Sequence, residues 1–235
     1  MSNGKPDPAI EVALVVGGDN PPLTLDRLLD EAGHFADAES HHSEPSLYAV
    51  TDGKAVGTYI EQKFRTSLAQ RYAYRLGSAA VGIDFPELSV DVKVTRVTQP
   101  QSSSPFQSAR QKIYGLGYHL LVFVYDKTDD HGARTANLNI LHVVYVDKSR
   151  TADHQTTTGI RRMLDNGCNE EDLVAFMHER NLPLDEIEAN RIATELMATA
   201  PNQGYLTISN ALQWRLQYGH AITAAGKVEG VTKLR

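Results

Sequence analysis

The 235-residue chain has a single cysteine, Cys168, and a single tryptophan, Trp214. One thiol cannot close an intramolecular disulfide, and the same count excludes zinc-ribbon and CxxC redox chemistry, so a reducing cytoplasmic setting is expected. No apolar run approaches the roughly 20 residues of a membrane-spanning helix. The opening MSNGKPDPAIEVALVVGG lacks both a basic leader and an A-x-A-like cleavage site, which predicts no signal peptide. No GxSxG elbow occurs, and no Walker A or GxGxxG follows a predicted strand, which argues against serine-hydrolase and nucleotide-driven chemistry. Basic charge is scarce: 23 Lys and Arg against 29 Asp and Glu leave a net charge of −6. That balance argues against a general polyanion binder, yet it permits a locally basic cleft and suits a site built on carboxylates. His119, His142, His154, His178 and His220 are scattered and form no metal or nucleophile set. The pair His41-His42 has no regularly spaced third ligand and reads as surface loop.

What the chain does contain is periodic. Residues 1–8 are polar and proline-bearing, a disordered tail by composition, and 9–16 fit either a strand or a helix start. Leu25, Leu28, Leu29, Ala32 and Phe35 recur at helical spacing, as do Val56, Tyr59, Ile60, Phe64, Leu68 and Tyr72 in a longer helix after Asp52. RLGSAAVGID fits a turn and a small-residue strand, and LSVDVKVTRV alternates as a half-buried strand. QPQSSSP is a polar loop, FQSARQKIYG a short helix, and YHLLVFVYD a strand buried on both faces. KTDDHGAR reads as a turn and ANLNILHVVYVD as the next strand. The order helix, strand, strand, helix, strand, strand over 52–148 indicates an α/β core. Beyond 150 the segments TTGIRRMLDNG, NEEDLVAFMHERN, LDEIEANRIATELMATA and TISNALQWRLQYG carry helical spacing or N-caps, the last at Thr207. Trp214 in that last segment reads as core, and the tail GKVEGVTKLR as a small hairpin. Residues 1–150 are thus expected to form a core with an N-terminal helical extension, and 151–235 a helical region.

The strand LSVDVKVTRV raises the chemical question. Val90, Val92 and Val94 take one face, leaving Asp91, Lys93 and Thr95 on the other. A solvent-facing strand would account for that, and (D/E)xK pairs also occur at Asp52/Lys54 and Glu61/Lys63, in a helix start and a helix. Asp84 distinguishes the Asp91 pair, because the FPE turn folds the next strand back and brings Asp84 beside Asp91. Two converging carboxylates repel unless a divalent cation lies between them. Lys93 on the same face then reaches an attacking water or a phosphate oxygen, which makes a site for metal-assisted phosphodiester hydrolysis.

Asp84, Asp91-Val92-Lys93 and, on the preceding helix, Glu61 resemble the PD-(D/E)XK nuclease superfamily, over roughly residues 52–148. The seven-residue step between the two acids is similar to that of the mismatch-repair nicking endonuclease and its restriction-enzyme relatives. The stretch SPFQSARQKIYGLGYHLLVFVYDKTDD resembles type II restriction endonucleases. Ile83 stands where the family usually has proline, and Pro86 follows instead, so the first acid is Asp84 or Glu87. The resemblance implies a mixed central sheet flanked by helices, with Asp84 and Asp91 binding Mg2+ and Lys93 polarising the nucleophilic water. For Glu61 two readings stand: a more distant carboxylate of the same site, or a solvated acid paired with Arg65 at i+4.

Sequence recognition must come from elsewhere. Gln101, Ser102, Ser103, Ser104, Arg110, Gln111 and Lys112 follow the catalytic strand with side chains of the kind that contact phosphates and base edges. Asn210, Gln213, Arg215 and Gln217 form one polar side of the last predicted helix, which fits either a winged helix reading the major groove or a packing and dimer element. The leading expectation is a homodimeric restriction endonuclease acting on double-stranded DNA, with a companion methyltransferase that modifies the same site. A monomeric repair or nicking endonuclease, and a non-enzymatic winged-helix regulator, are the alternatives.

Overall fold

The computed structural model describes residues 15–77, 82–103, 108–209 and 215–235. The predicted tail at 1–8, Ser104, Asn210, Gln213, Trp214 and part of the small-residue strand lie outside them. Strand β1 (Val15–Val16) pairs antiparallel with β3 (Tyr74–Arg75), at the start of that stretch. Helix α1 (Leu25–Ser40) starts at Thr24, whose hydroxyl accepts from the Arg27 amide, and buries Leu28, Ala32 and Ala36 at four-residue spacing. After strand β2 (Ser43–Glu44), helix α2 (Gly53–Ala69) is capped by the Asp52 carboxylate and buries Val56, Ile60, Phe64 and Leu68.

The main sheet contains β4 (Val90–Arg96), β6 (His119–Asp130), β7 (Thr135–Val146) and β10 (Val231–Lys233), in the order β10-β7-β6-β4. β4 and β6 are parallel, so a crossover must join them; β5 (Gln101–Ser103) and helix α3 (Ala109–Tyr114) lie within it. β6 and β7 form a long antiparallel pair joined across residues 131–134, and β2 pairs with the far end of β7. Helices α1 and α2 cover one sheet face, where Val90, Val92, Leu121 and Phe123 meet Leu28, Ile60 and Phe64. On the opposite face Leu120, Val122 and Val124 join Leu206, Leu216 and Tyr218 in a second cluster. Each such buried side chain contributes about 1.5–3 kcal/mol. Helices α4 (His154–Asp165), α5 (Glu170–Glu179) and α6 (Glu186–Ala198) enclose a third cluster with Ile113 of α3.

The predicted helix TISNALQWRLQYG is corrected. Thr207–Ile208 is strand β8 and Arg215–Gln217 is strand β9, and with β5 they form a three-stranded antiparallel sheet in the order β5-β9-β8. Thr207 caps no helix, and the described parts of the segment supply no recognition helix of a winged-helix module. Leu216 is buried while Arg215 and Gln217 are exposed, a period of two that belongs to a strand. The short helix α7 (Gly219–Ala224) follows. The tail makes a turn bridged between Val228 and Val231, but its strand β10 then joins the main sheet beside β7. The region after 150 is therefore not wholly helical: its strands complete two sheets begun by earlier residues. Among the described residues no helix is long and apolar enough to cross a membrane.

Candidate active site

The site forms on β4, the edge strand of the main sheet, and its geometry follows from that position. Asp91 and Thr95 are only 3% and 5% exposed, so their face of β4 is not a solvent face. On the open edge, the Phe85 and Val90 backbones exchange two hydrogen bonds around a tight turn, with Ser89 in the left-handed region at φ 52°. Asp84 stands just before this turn, at a bend and not at the end of a described strand. Its Oδ2 accepts from the Val92 amide at 2.7 Å, capping an edge donor that no neighbouring strand serves. The local fold thereby fixes Asp84 between Asp91 and Lys93. Glu87 is exposed and pairs with Arg75, so the turn brings Asp84, not Glu87, to the site.

Helix α2 supplies the other wall. Arg65 donates to Asp84 Oδ1, and Glu61, one turn earlier, feels Asp84, Arg65 and Lys93. Burial and the Asp84 charge raise the Glu61 carboxyl above its ordinary range, while Arg65 and Lys93 pull it back. Arg65 is the residue that sequence reasoning treated only as a partner for Glu61. Its place on the same helix face as Glu61, at i+4, was the available signal.

Electrostatics show what the cluster lacks. Burial pushes the Asp91 carboxyl up to about 7 against the opposing pull of Lys93, and the neighbouring Asp84 charge adds to the rise. Lys93 Nζ lies 2.7 Å from Asp91 Oδ2. Burial lowers the Lys93 ammonium, and the Asp91 and Asp84 charges more than offset it. Two carboxyls whose charges oppose each other are a place where added positive charge is stabilised. Among the described residues no group of three or more His, Cys, Asp or Glu is arranged to hold a metal. Mg2+ commonly takes only one or two protein carboxylates, with water and phosphate completing its shell, so the Asp84–Asp91 pair fits it.

A pH dependence follows. The folded-state value of Asp91 is raised above the ordinary 3.8, so its contribution to stability is fully present below 3.8 and is lost as pH rises through about 7. Thermal melts of metal-free protein across that window should show wild type losing stability relative to Asp91→Asn. Parallel curves would mean that Asp91 ionises without cost.

Beside the site runs a cleft of about 660 Å3, bordered by Lys54, Glu61, Lys93, Arg96, Lys127 and Arg215. Gln101, Ser102 and Ser103 border it too. In the small sheet Gln101 faces Gln217, and Ser103 faces Arg215. Because Leu216 and Ile208 point into the core, Gln101, Ser103, Arg215 and Gln217 share the outer face. Ser102 alternates inward, and its hydroxyl meets that of Tyr218. Arg215 and Gln217 thus present polar groups as expected, but from a strand.

Two expected DNA contacts are corrected. The Arg110 guanidinium is occupied by Glu188 and, in a bidentate pair at 2.8 Å, by Glu195, both on α6. Lys112 is buried beneath the helical layer. Neither borders the cleft: α6 supplies the acids that hold Arg110, and Lys112 lies among Asp153, Arg180 and Ile208. Gln111 is half-buried on α3. His41 and His42 are exposed, bonded to Asp37 O and Glu44, as the surface reading expects.

An acidic pair with a lysine on an edge strand, beside a cleft carrying basic groups, is the geometry of an enzyme acting on a phosphodiester. Comparison with known proteins narrows this. The family model described as "Type II restriction enzyme NspV" matches residues 22–233. A protein of that name from Nostoc sp. (strain ATCC 29411 / PCC 7524) is 62% identical over 209 residues, spanning 89% of this chain and 95% of the relative. The chain belongs to the NspV family of type II restriction enzymes, which are site-specific deoxyribonucleases. No solved structure matches it.

Proposed function

We propose that the protein is a Mg2+-dependent endonuclease of the PD-(D/E)XK type that cuts both strands of a short specific DNA duplex site as a homodimer. The observation that carries the reading is the convergence of Asp84, Asp91 and Lys93 on the edge strand, where Asp84 holds the Val92 amide between the other two and Lys93 Nζ lies 2.7 Å from Asp91 Oδ2. Asp84 and Asp91 would hold Mg2+, which when bound supplies Lewis-acid polarisation of the phosphate and acidifies a water. Lys93 directs its ammonium toward the attacking water and offsets charge developing on the phosphoryl oxygens. Glu61 borders the cleft on the α2 wall, where its carboxylate orients solvent at the same centre.

Lys54 and Arg96 offer positive charge along the cleft for the DNA backbone, whereas Lys127 is held by Asp129, and the outer face of β5 and β9 offers Gln101, Ser103, Arg215 and Gln217 to base edges. A two-stranded ribbon fits the major groove. Each chain contributes one such site among the described residues, so a two-fold dimer on a two-fold DNA site places one site at each strand. A companion methyltransferase, acting on the same sequence without binding this protein, would protect the host's copies.

Supercoiled plasmid with Mg2+ tests the reading. Discrete linear fragments with mappable ends are expected. Accumulation of open circle would indicate nicking by a monomer, and uncut plasmid at all divalent-ion concentrations would refute the proposal.

A further inference from the structure

Thr95 lies two residues beyond Lys93, on the face of β4 that carries Asp91 and Lys93, and it is buried. Its hydroxyl is engaged on both sides. Oγ1 accepts from the Gln101 amide at 3.0 Å, and its own proton is directed to Gln101 O at 3.1 Å or Gln99 O at 3.2 Å. One side chain therefore holds the backbone N–H of the first residue of β5 and offers its proton to that residue's carbonyl or to the Gln99 carbonyl just before it. A second tie runs beside it. Tyr218, fully buried directly after β9, meets the Ser102 hydroxyl through its own and donates its backbone N–H to Pro100 O at 2.9 Å. Its ring belongs to the cluster containing Leu120 and Val122, the β6 neighbours of Asp91 and Lys93 in register. The Asp91 charge also reaches the Tyr218 hydroxyl.

We infer that Thr95 and Tyr218 are positioning residues that lock the reading strand β5 to the catalytic strand β4, so that a wrong base against β5 displaces Asp91 and Lys93. The physical reason is stiffness over a short path. Lys93 and Thr95 are separated by about 6.7 Å of extended strand. Gln101 is held from the Thr95 side chain, and Gln101 and Ser103 share the outer face with Arg215 and Gln217. No flexible loop intervenes between the clamp and the lysine. A mismatch that shifts Gln101 therefore strains its hydrogen bonding to a residue on the catalytic strand. The inference rests on the proposed catalytic site and adds to it a coupling between recognition and cutting.

The test measures single-turnover cleavage and equilibrium binding on the mapped site and on its one-base variants, for Thr95→Val, Thr95→Ser and Tyr218→Phe. Thr95→Val keeps shape and removes the hydroxyl. It should lower the cleavage-rate ratio between correct and altered sites about tenfold, within the 5–150-fold range typical of coupled sites. Binding of the correct site should change much less. Thr95→Ser should restore the ratio, and Tyr218→Phe should lower it in the same direction. Unchanged discrimination in a folded Thr95→Val, or a fall in melting temperature alone, overturns the inference. If Thr95→Val does not fold, the discrimination of Tyr218→Phe decides. Asp91→Asn is the control: if it still cuts, the catalytic assignment fails and this inference with it. A dead Asp91→Asn with undisturbed discrimination in the clamp variants overturns the clamp alone.

Discussion

Asp91→Asn should give a protein that folds, binds its DNA site and does not cut. The exchange keeps the volume of a side chain that is 3% exposed and removes an acid whose ionisation burial opposes, and Lys93, which loses its carboxylate partner, still borders the open cleft, so the fold survives it. What disappears is the negative charge that, with Asp84, creates the demand for a cation. Lys93→Ala should have the same phenotype for a different reason. The ammonium is held 2.7 Å from Asp91 and borders the cleft, so its loss leaves charge on the phosphoryl oxygens unbalanced. Removing one preorganised electrostatic group typically costs about 10²–10³ in rate. Cleavage by either variant should therefore fall below roughly one per cent of wild type in single-turnover assays, with gel-shift affinity for the site retained. Substantial cutting by either one, under conditions where wild type is not saturated by product release, would move the active site elsewhere.

The convergence of the two acids and the lysine was legible because it is written locally. Asp84, Asp91 and Lys93 lie within ten residues, and the Phe85–Val90 turn needs no distant partner to bring the first acid to the other two. The long helices were legible through caps such as Asp52 and stripes such as Ile60, Phe64 and Leu68. Residues whose fate depends on distant partners were not. Arg110 looked available until α6 placed Glu188 and Glu195 on its guanidinium. Lys112, two residues along the same short helix, is buried, as no neighbouring residue announced. The segment after Thr207 reads as a helix because its leucines and alanines fall at helical spacing. Its described strands are two and three residues long, too short for an alternating period to stand out. They are strands because β5 pairs with β9 and β9 in turn with β8, and β5, made of Gln101, Ser102 and Ser103, has no apolar residue to advertise itself. Thr95 was placed on the right face but not weighed, since a threonine in a strand is ordinary until its hydroxyl is seen holding another backbone.

Arg215→Ala and Gln217→Ala should alter which sequences are cut while leaving the fold intact. Both side chains are exposed on β9, and Leu216 between them keeps the strand seated in the core. Deleting the C-terminal segment cannot make this point, because it would also remove Tyr218 and Val231 from the core and β10 from the main sheet. Cross-strand pairing sets Gln217 against Gln101 and Arg215 against Ser103, so one face offers an amide pair and a guanidinium at strand spacing. These are the groups that make bidentate contacts with adenine and guanine in the major groove, each worth about 1–3 kcal/mol of discrimination. Loss of such a contact relaxes cleavage at one base position by roughly 5–150-fold and leaves the others unchanged. A phosphate contact behaves differently: binding weakens at every sequence, and the slope of affinity against salt falls by about one. Arg215 borders the cleft whereas Gln217 does not, so the sharper base-specific loss is expected from Gln217 and the larger salt effect from Arg215. Cleavage profiling on a library randomised at each base pair, together with binding at several salt concentrations, separates the two. Wild-type profiles and salt slopes in both variants would show that β9 is scaffold and shift recognition to the opposite wall of the cleft, where Lys54 and Thr58 of α2 stand.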